Sequence, residues 1–116
     1  MRLCHVTIQT EAFEDEIKFF EKYADLTIQR DMRDMGRNLV FLVDAQGGAE
    51  IEIIEKPGAH DSGNENLSIG FVAEDLDILR SELAKDGFEP SDIVSPMPSV
   101  RFFFVRDPAG VNIQFM

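Results

Sequence analysis

Cysteine is almost absent from this chain of 116 residues. Cys4 stands alone, so no internal disulfide can form and a reducing compartment is expected. The alternation of the first residues sets Cys4 on the strand face opposite His5, which predicts a packed thiol rather than a reactive one. Positive charge is scarce as well, with 11 Lys and Arg against 22 Asp and Glu and a net charge of −11. A polyanion would be repelled by that field, which excludes nucleic acid and disfavours anionic membrane surfaces. Hydrophobic residues reach 44%, yet no run is long enough to span a bilayer. No basic segment leads into an apolar one as in a secretory signal, so the expected location is cytoplasmic. The acidic excess fits an ordinary soluble protein or a groove that attracts a cationic ligand, and composition does not separate the two.

What the chain does have is a repeat. Cys4-His5-Val6-Thr7-Ile8 and Leu67-Ser68-Ile69-Gly70-Phe71 alternate alike, with His5 and Ser68 63 positions apart. Phe41-Leu42-Val43-Asp44 and Phe104-Val105-Arg106-Asp107 keep the same spacing of 63. One residue is then lost, and Ala49 to Ile54 answers Val111 to Met116 at 62. Each copy also holds one amphipathic helix pattern, with Phe13 and Phe20 answering Leu76 and Leu83. A period this long, holding both strands and a helix, indicates two fused copies of one supersecondary unit. Equivalent positions of the copies are then expected to face a shared cleft, where His5 and Glu52 meet Ser68 and Gln114.

Period-two alternation predicts a strand over 2–10, with Leu3, His5, Thr7 and Gln9 on one face. Thr10 can cap a helix over 11–23 whose apolar stripe is Phe13, Ile17, Phe20 and Tyr23. The acidic group Glu11, Glu14, Asp15 and Glu16 suits its first turn. Strands follow at 26–30, 39–43 and 49–55, with a tight turn at Gln46-Gly47-Gly48. Residues 57–65 read as a linker, His60 among them as a solvated loop residue. The second copy predicts a strand over 67–73, a helix over 75–86 that starts at Asp75, and a weak strand near 92–94. Pro96 and Pro98 then break the chain before strands at 100–106 and 111–116. Four strands and one helix per copy give an α+β class, in a single domain of module 1 (1–56), linker (57–65) and module 2 (66–116). Val6, Ile8, Ile51, Ile53, Ile69, Phe71, Ile113 and Phe115 form the core-facing set.

The paired βαβββ pattern, the opening Met1-Arg2-Leu3-Cys4-His5 and the closing Asp107-Pro108-Ala109-Gly110-Val111-Asn112-Ile113-Gln114 resemble the vicinal-oxygen-chelate superfamily. That superfamily includes glyoxalases, bleomycin resistance proteins and extradiol dioxygenases. The layout is most similar to bacterial glyoxalase I, whose final motif reads Asp-Pro-x-Gly-x-x-(Ile/Leu)-Glu. The resemblance covers essentially the whole chain. It implies two modules curled into an open mixed sheet cleft around a divalent metal, with ligands from the first and last strands of each module.

Carried over by position, the implied metal ligands are His5, Glu52 and Gln114, with Ser68 at the fourth position. Imidazole, carboxylate and amide oxygen can each bind a divalent ion, whereas a neutral serine hydroxyl is a poor ligand. Gln114 also lacks the basicity that the resemblance assigns to its position, leaving Glu52 as the candidate catalytic base. Gln9 stands where the family commonly has an arginine for a glutathione carboxylate. The candidate ligand-binding residues are Thr7, Gln9, Glu50, Ser68, Arg101, Phe103 and Asn112. Phe103 would stack on a ligand while Phe102 and Phe104 pack inside.

The expected function is therefore a small-molecule-binding protein of this superfamily with a degenerate metal site. It would sequester a cationic ligand or drug of the bleomycin kind. The alternative is a divergent metal-dependent lyase or isomerase of the glyoxalase I type, similar to lactoylglutathione lyase, acting on a small carbonyl or thiol adduct. The expected cofactor is none, or a weakly bound divalent Ni or Zn ion, and the expected assembly is a homodimer.

Overall fold

The computed structural model describes residues 1–116, which divide into two compact units, Met1–Ser62 and Gly63–Met116. Each unit is βαβββ and α+β, an open four-stranded mixed sheet with one helix.

In the first unit the elements are β1 (His5–Thr10), α1 (Phe13–Tyr23), β2 (Thr27–Asp31), β3 (Leu39–Val43) and β4 (Glu50–Glu55), with one 3-10 turn at Arg33–Met35. The sheet order is β1-β4-β3-β2, parallel between β1 and β4 and antiparallel elsewhere. Joining a parallel pair needs a crossover, and α1 with the β2–β3 hairpin supplies it. One face of β1 and β4 buries Ile8, Ile51 and Ile53, and α1 adds Phe13, Ile17, Phe19, Phe20 and Tyr23. Each large apolar side chain taken fully out of water contributes about 1.5–3 kcal/mol before entropy, so α1 anchors this core. Helix α1 begins later than its capping pattern implied. Ala12 occupies the cap without a side-chain hydrogen bond, while the buried Thr10 Oγ1 accepts the Ala12 amide at 3.0 Å. Glu16 belongs to the acidic first turn yet is fully buried.

The second unit holds β5 (Ser68–Phe71), α2 (Leu76–Lys85), β6 (Val94–Met97), β7 (Val100–Arg106) and β8 (Asn112–Phe115), in the order β5-β8-β7-β6. β5 and β8 are again the parallel pair. Asp75 caps α2 by accepting the Ile78 amide at 3.0 Å. β6 runs through Pro96, where a break was expected. It is an edge strand in irregular register with β7, and an edge tolerates the missing amide hydrogen. The turn before β8 is fixed by Asp107, a buried carboxylate whose Oδ1 accepts the amides of Ala109 (3.0 Å) and Val111 (2.8 Å). Gly110 supplies the positive φ of 85° that this turn requires.

The strand register confirms the repeat. His5 stands opposite Glu50 and Phe41 opposite Glu52; their counterparts Ser68 and Phe104 stand opposite Asn112 and Gln114. Cys4 departs from expectation. It precedes β1 and is exposed, with its Sγ 3.4 Å from His5 Nδ1. No helix is long and apolar enough to cross a membrane.

Candidate functional site

In the first unit the register lays one row of side chains across all four strands: Thr7, Glu52, Phe41 and Arg30. Strand pairing puts laterally opposed residues on the same face, so this row lies opposite the core-facing isoleucines. Thr7 Oγ1 donates to Glu52 Oε1 at 2.6 Å, and His5 Nε2 lies 3.7 Å from the same oxygen. The His5 ring meets Phe41 edge-on, with centroids 6.0 Å apart. Across the ring plane of Phe41 lies the Arg30 guanidinium, 3.8 Å from the centroid, and its Nη2 donates to Glu50 Oε1 at 2.9 Å. A base, an imidazole, an aromatic ring and a cation thus share one sheet face.

A divalent ion of the kind implied by the resemblance would need several strong donors converging on this face. His5 and Glu52 approach each other, but no group of three or more His, Cys, Asp or Glu side chains converges anywhere in the chain. Glu52 already accepts the Thr7 hydroxyl, and the positions corresponding to His5 and Glu52 in the second unit carry a hydroxyl and an amide. Tight sites use three or four strong protein ligands, so the donor set does not fit a tightly held ion.

The remaining sequence candidates fall into two groups. Glu50 lies on the Glu52 face and receives Arg30, and Gln9 is exposed on β1 beside Ile54. Ser68 is exposed, and Gln114 lies opposite Gly70 and Phe104. Asn112 Nδ2 donates to the Asn64 carbonyl at 3.2 Å, so its amide fastens the segment leading into β5. Two assignments are corrected. Phe103 is fully buried and packs on Phe115 at 5.6 Å between centroids, so it belongs to the core and not to a ligand surface. The face assignment had been inverted, because Phe104 pairs with Gln114 and therefore shares its side with Phe102. Arg101 shares the Phe103 face and donates from both terminal nitrogens to Asp77 of α2, at 3.0 and 3.2 Å. That bidentate hydrogen bond holds the Asp77 carboxyl below its ordinary value and raises Arg101. Arg101 is spent on the helix. His60 stays exposed and contacts the Glu11 carboxylate.

Sequence reasoning missed Arg30 and Phe41. A bulge between Ile28 and Arg30 shifts the phase of β2, and β3 is apolar throughout, so neither strand carries a usable alternation. The second unit also has a groove of about 500 Å³ between the 87–91 segment and the Phe104 and Arg106 side of β7.

Residues 2–115 match the family model of the glyoxalase/bleomycin resistance protein/dioxygenase superfamily. The chain belongs to that superfamily. A solved glyoxalase family protein from Bacillus cereus is similar over 99% of this chain and 92% of its own, at 24% identity and a TM-score of 0.82. The fosfomycin resistance protein FosX from Mesorhizobium loti matches over 97% and 88%, at 17% identity and a TM-score of 0.74. A lactoylglutathione lyase from Agrobacterium tumefaciens matches over 97% and 90%, at 13% identity and 0.68. No curated protein matches the chain. At these identities the likeness to the solved structures shows a shared fold.

Proposed function

We propose that this superfamily member is a small-molecule-binding protein whose metal site has degenerated, and that it sequesters a cationic ligand. The observation that carries the reading is the pairing of only two strong donors, His5 and Glu52, 3.7 Å apart with Thr7 already on the carboxylate. A carboxylate released from metal duty is free to meet a cation, and the net charge of −11 draws cations toward the protein. Thr7, Gln9, Glu50 and Glu52 form the ligand-facing set in the first unit, and Ser68 and Gln114 are the ligand-facing residues of the second. The protein acts as a single-domain cytoplasmic homodimer.

A second reading is supported by the His5–Glu52 pair itself, a base beside an imidazole. In it the chain is a divergent glyoxalase I-type lyase with Glu52 as base and a weakly held Ni or Zn ion at His5, Glu52 and Gln114. Elemental analysis of the purified protein separates the two. The sequestering reading expects metal far below one equivalent, and a melting temperature that rises with the logarithm of added cationic glycopeptide above its Kd. One equivalent of Ni or Zn, together with isomerisation of a hemithioacetal that Glu52→Gln abolishes, would establish the lyase instead.

A further inference from the structure

We infer that Phe41 and Glu50 form a subsite for a guanidinium or ammonium group, and that Arg30 occupies it in place of the ligand. The inference rests on the proposed small-molecule reading of this face and names the chemical class the face accepts. An aromatic ring with a carboxylate beside it is a cation receptor, and the structure already seats a cation there. The Arg30 guanidinium lies 3.8 Å over Phe41 while its Nη2 reaches Glu50 Oε1 at 2.9 Å. The hold is incomplete. Glu50 Oε2 is buried and accepts no hydrogen bond, and Arg30, tethered to β2, engages the carboxylate through one oxygen only. A free guanidinium can bind a carboxylate bidentately, through two parallel N–H donors. The acceptor left over by Arg30 is the one such a ligand would use.

Arg30 can also leave. Its side chain is 53% exposed on an edge strand, and exposed ion pairs and cation–π contacts are weak. Arg33, three residues on, shows the contrast: it is held by Asp31 through three contacts and by Glu14 as well. The carboxylates raise Arg33 further above its ordinary value, chiefly through the Asp31 hydrogen bonds. Arg30 therefore behaves as a displaceable occupant, and Arg33 as a fixed strut. An internal competitor present about 90% of the time weakens the apparent affinity of a ligand about tenfold, and deleting it restores the intrinsic value.

The test uses agmatine, which carries a guanidinium and an ammonium but no carboxylate, in NMR titrations of the whole chain. Arg30→Ala is expected to bind agmatine about tenfold tighter than the parent, with the Phe41 ring resonances moving, and Arg30→Gln guards against a folding defect in the first variant. Adding Glu50→Gln to Arg30→Ala should remove the gain, and Arg33→Ala should produce none. Equal or weaker binding in both Arg30 variants overturns the inference. So does inorganic phosphate that binds the parent and is lost in Arg30→Ala, since Arg30 would then be the receptor. A cationic glycopeptide that binds the parent while agmatine gains nothing sinks this subsite and leaves the proposed function intact. The reverse result keeps the subsite and removes the sequestering role.

Discussion

The two units carry different side chains on one backbone plan. Both run βαβββ, both pair first and last strands in parallel, and both place a phenylalanine, Phe41 or Phe104, at the same lateral position. The rows through those rings then diverge. In the first unit the row reads Thr7, Glu52, Phe41, Arg30; in the second it reads Gly70, Gln114, Phe104, without a charge. Around Phe104 the surface is apolar instead, with Phe102 at 5.7 Å and with Val94 and Met97 exposed on the edge strand. The cores are unequal too. Helix α1 buries six side chains, whereas α2 buries Leu76 and Leu83. Register and turn geometry are thus compatible with either set of side chains, and the polar face is where the two units differ in charge.

The largest expected difference lies in those helices. Phe20→Ala should cost about 3–5 kcal/mol, because a fully buried ring packed edge-on to Phe19 leaves a cavity its neighbours cannot fill. Leu83→Ala should fall near the lower end of about 2–5 kcal/mol, since the lightly packed α2 can settle onto the sheet. Urea unfolding measures both, and amide exchange should show α2 opening at lower free energy than α1. The opposite order would break the comparison.

The turn aspartates sharpen it. Asp44 and Asp107 are repeat equivalents, and each accepts two amides in the turn before its unit's last strand. Asp107 is buried and Asp44 is exposed. Asp107→Ala strands the Ala109 and Val111 amides away from water and should cost about 2–3 kcal/mol. Asp44→Ala leaves its amides to solvent and should cost about 0.5 kcal/mol. Equal losses in thermal melts would mean that burial is not what separates them.

The sequence made the fold legible because its signals agreed at several levels. The 63-residue spacing, the alternation in β1 and β4, the Asp75 cap and the glycine turns all pointed to the same element order. The core-facing isoleucines of β1, β4 and β8 followed from the same alternation. The polar face was legible only on strands with a clean period of two. His5, Thr7, Glu50 and Glu52 were found that way, while Arg30 was lost to the bulge in β2 and Phe41 to the uniform apolarity of β3. In β7 the run Phe102-Phe103-Phe104 offers no polarity to fix its phase, and only the pairing with β8 shows that Phe103 turns inward. Cys4 was misread because the alternation was extended past the strand's start. Arg101 was misread because a charged residue on the core side at a strand end can still find a partner, here Asp77, that no local pattern reveals.

The smallest expected effect is in acid, and it compares one ion pair from each unit. Three Arg33 hydrogen bonds to the Asp31 side chain, at 2.7, 2.9 and 3.2 Å, hold that carboxyl down from 3.8 to about 2, with the Arg33 amide assisting. Arg101 lowers Asp77 in the same direction. A carboxyl whose folded value lies below its unfolded one stabilises the fold fully above the unfolded value. That contribution fades as pH falls and is gone below the folded value. For Asp31 the window runs from about pH 4 down to about 2. Both carboxyls are exposed at the surface, so added salt should shrink the effect. Carboxyl carbon titration by NMR should find Asp31 with a midpoint near 2, returning toward 3.8 in Arg33→Gln, and Asp77 rising only in Arg101→Gln. Because Glu14 also reaches Arg33, at 3.3 Å, Glu14→Gln should leave the Asp31 midpoint nearly unchanged while freeing the arginine's other side. Two ordinary midpoints in the parent would show that neither pair persists in solution, and the distinction drawn between the fixed Arg33 and the displaceable Arg30 would lose its reference.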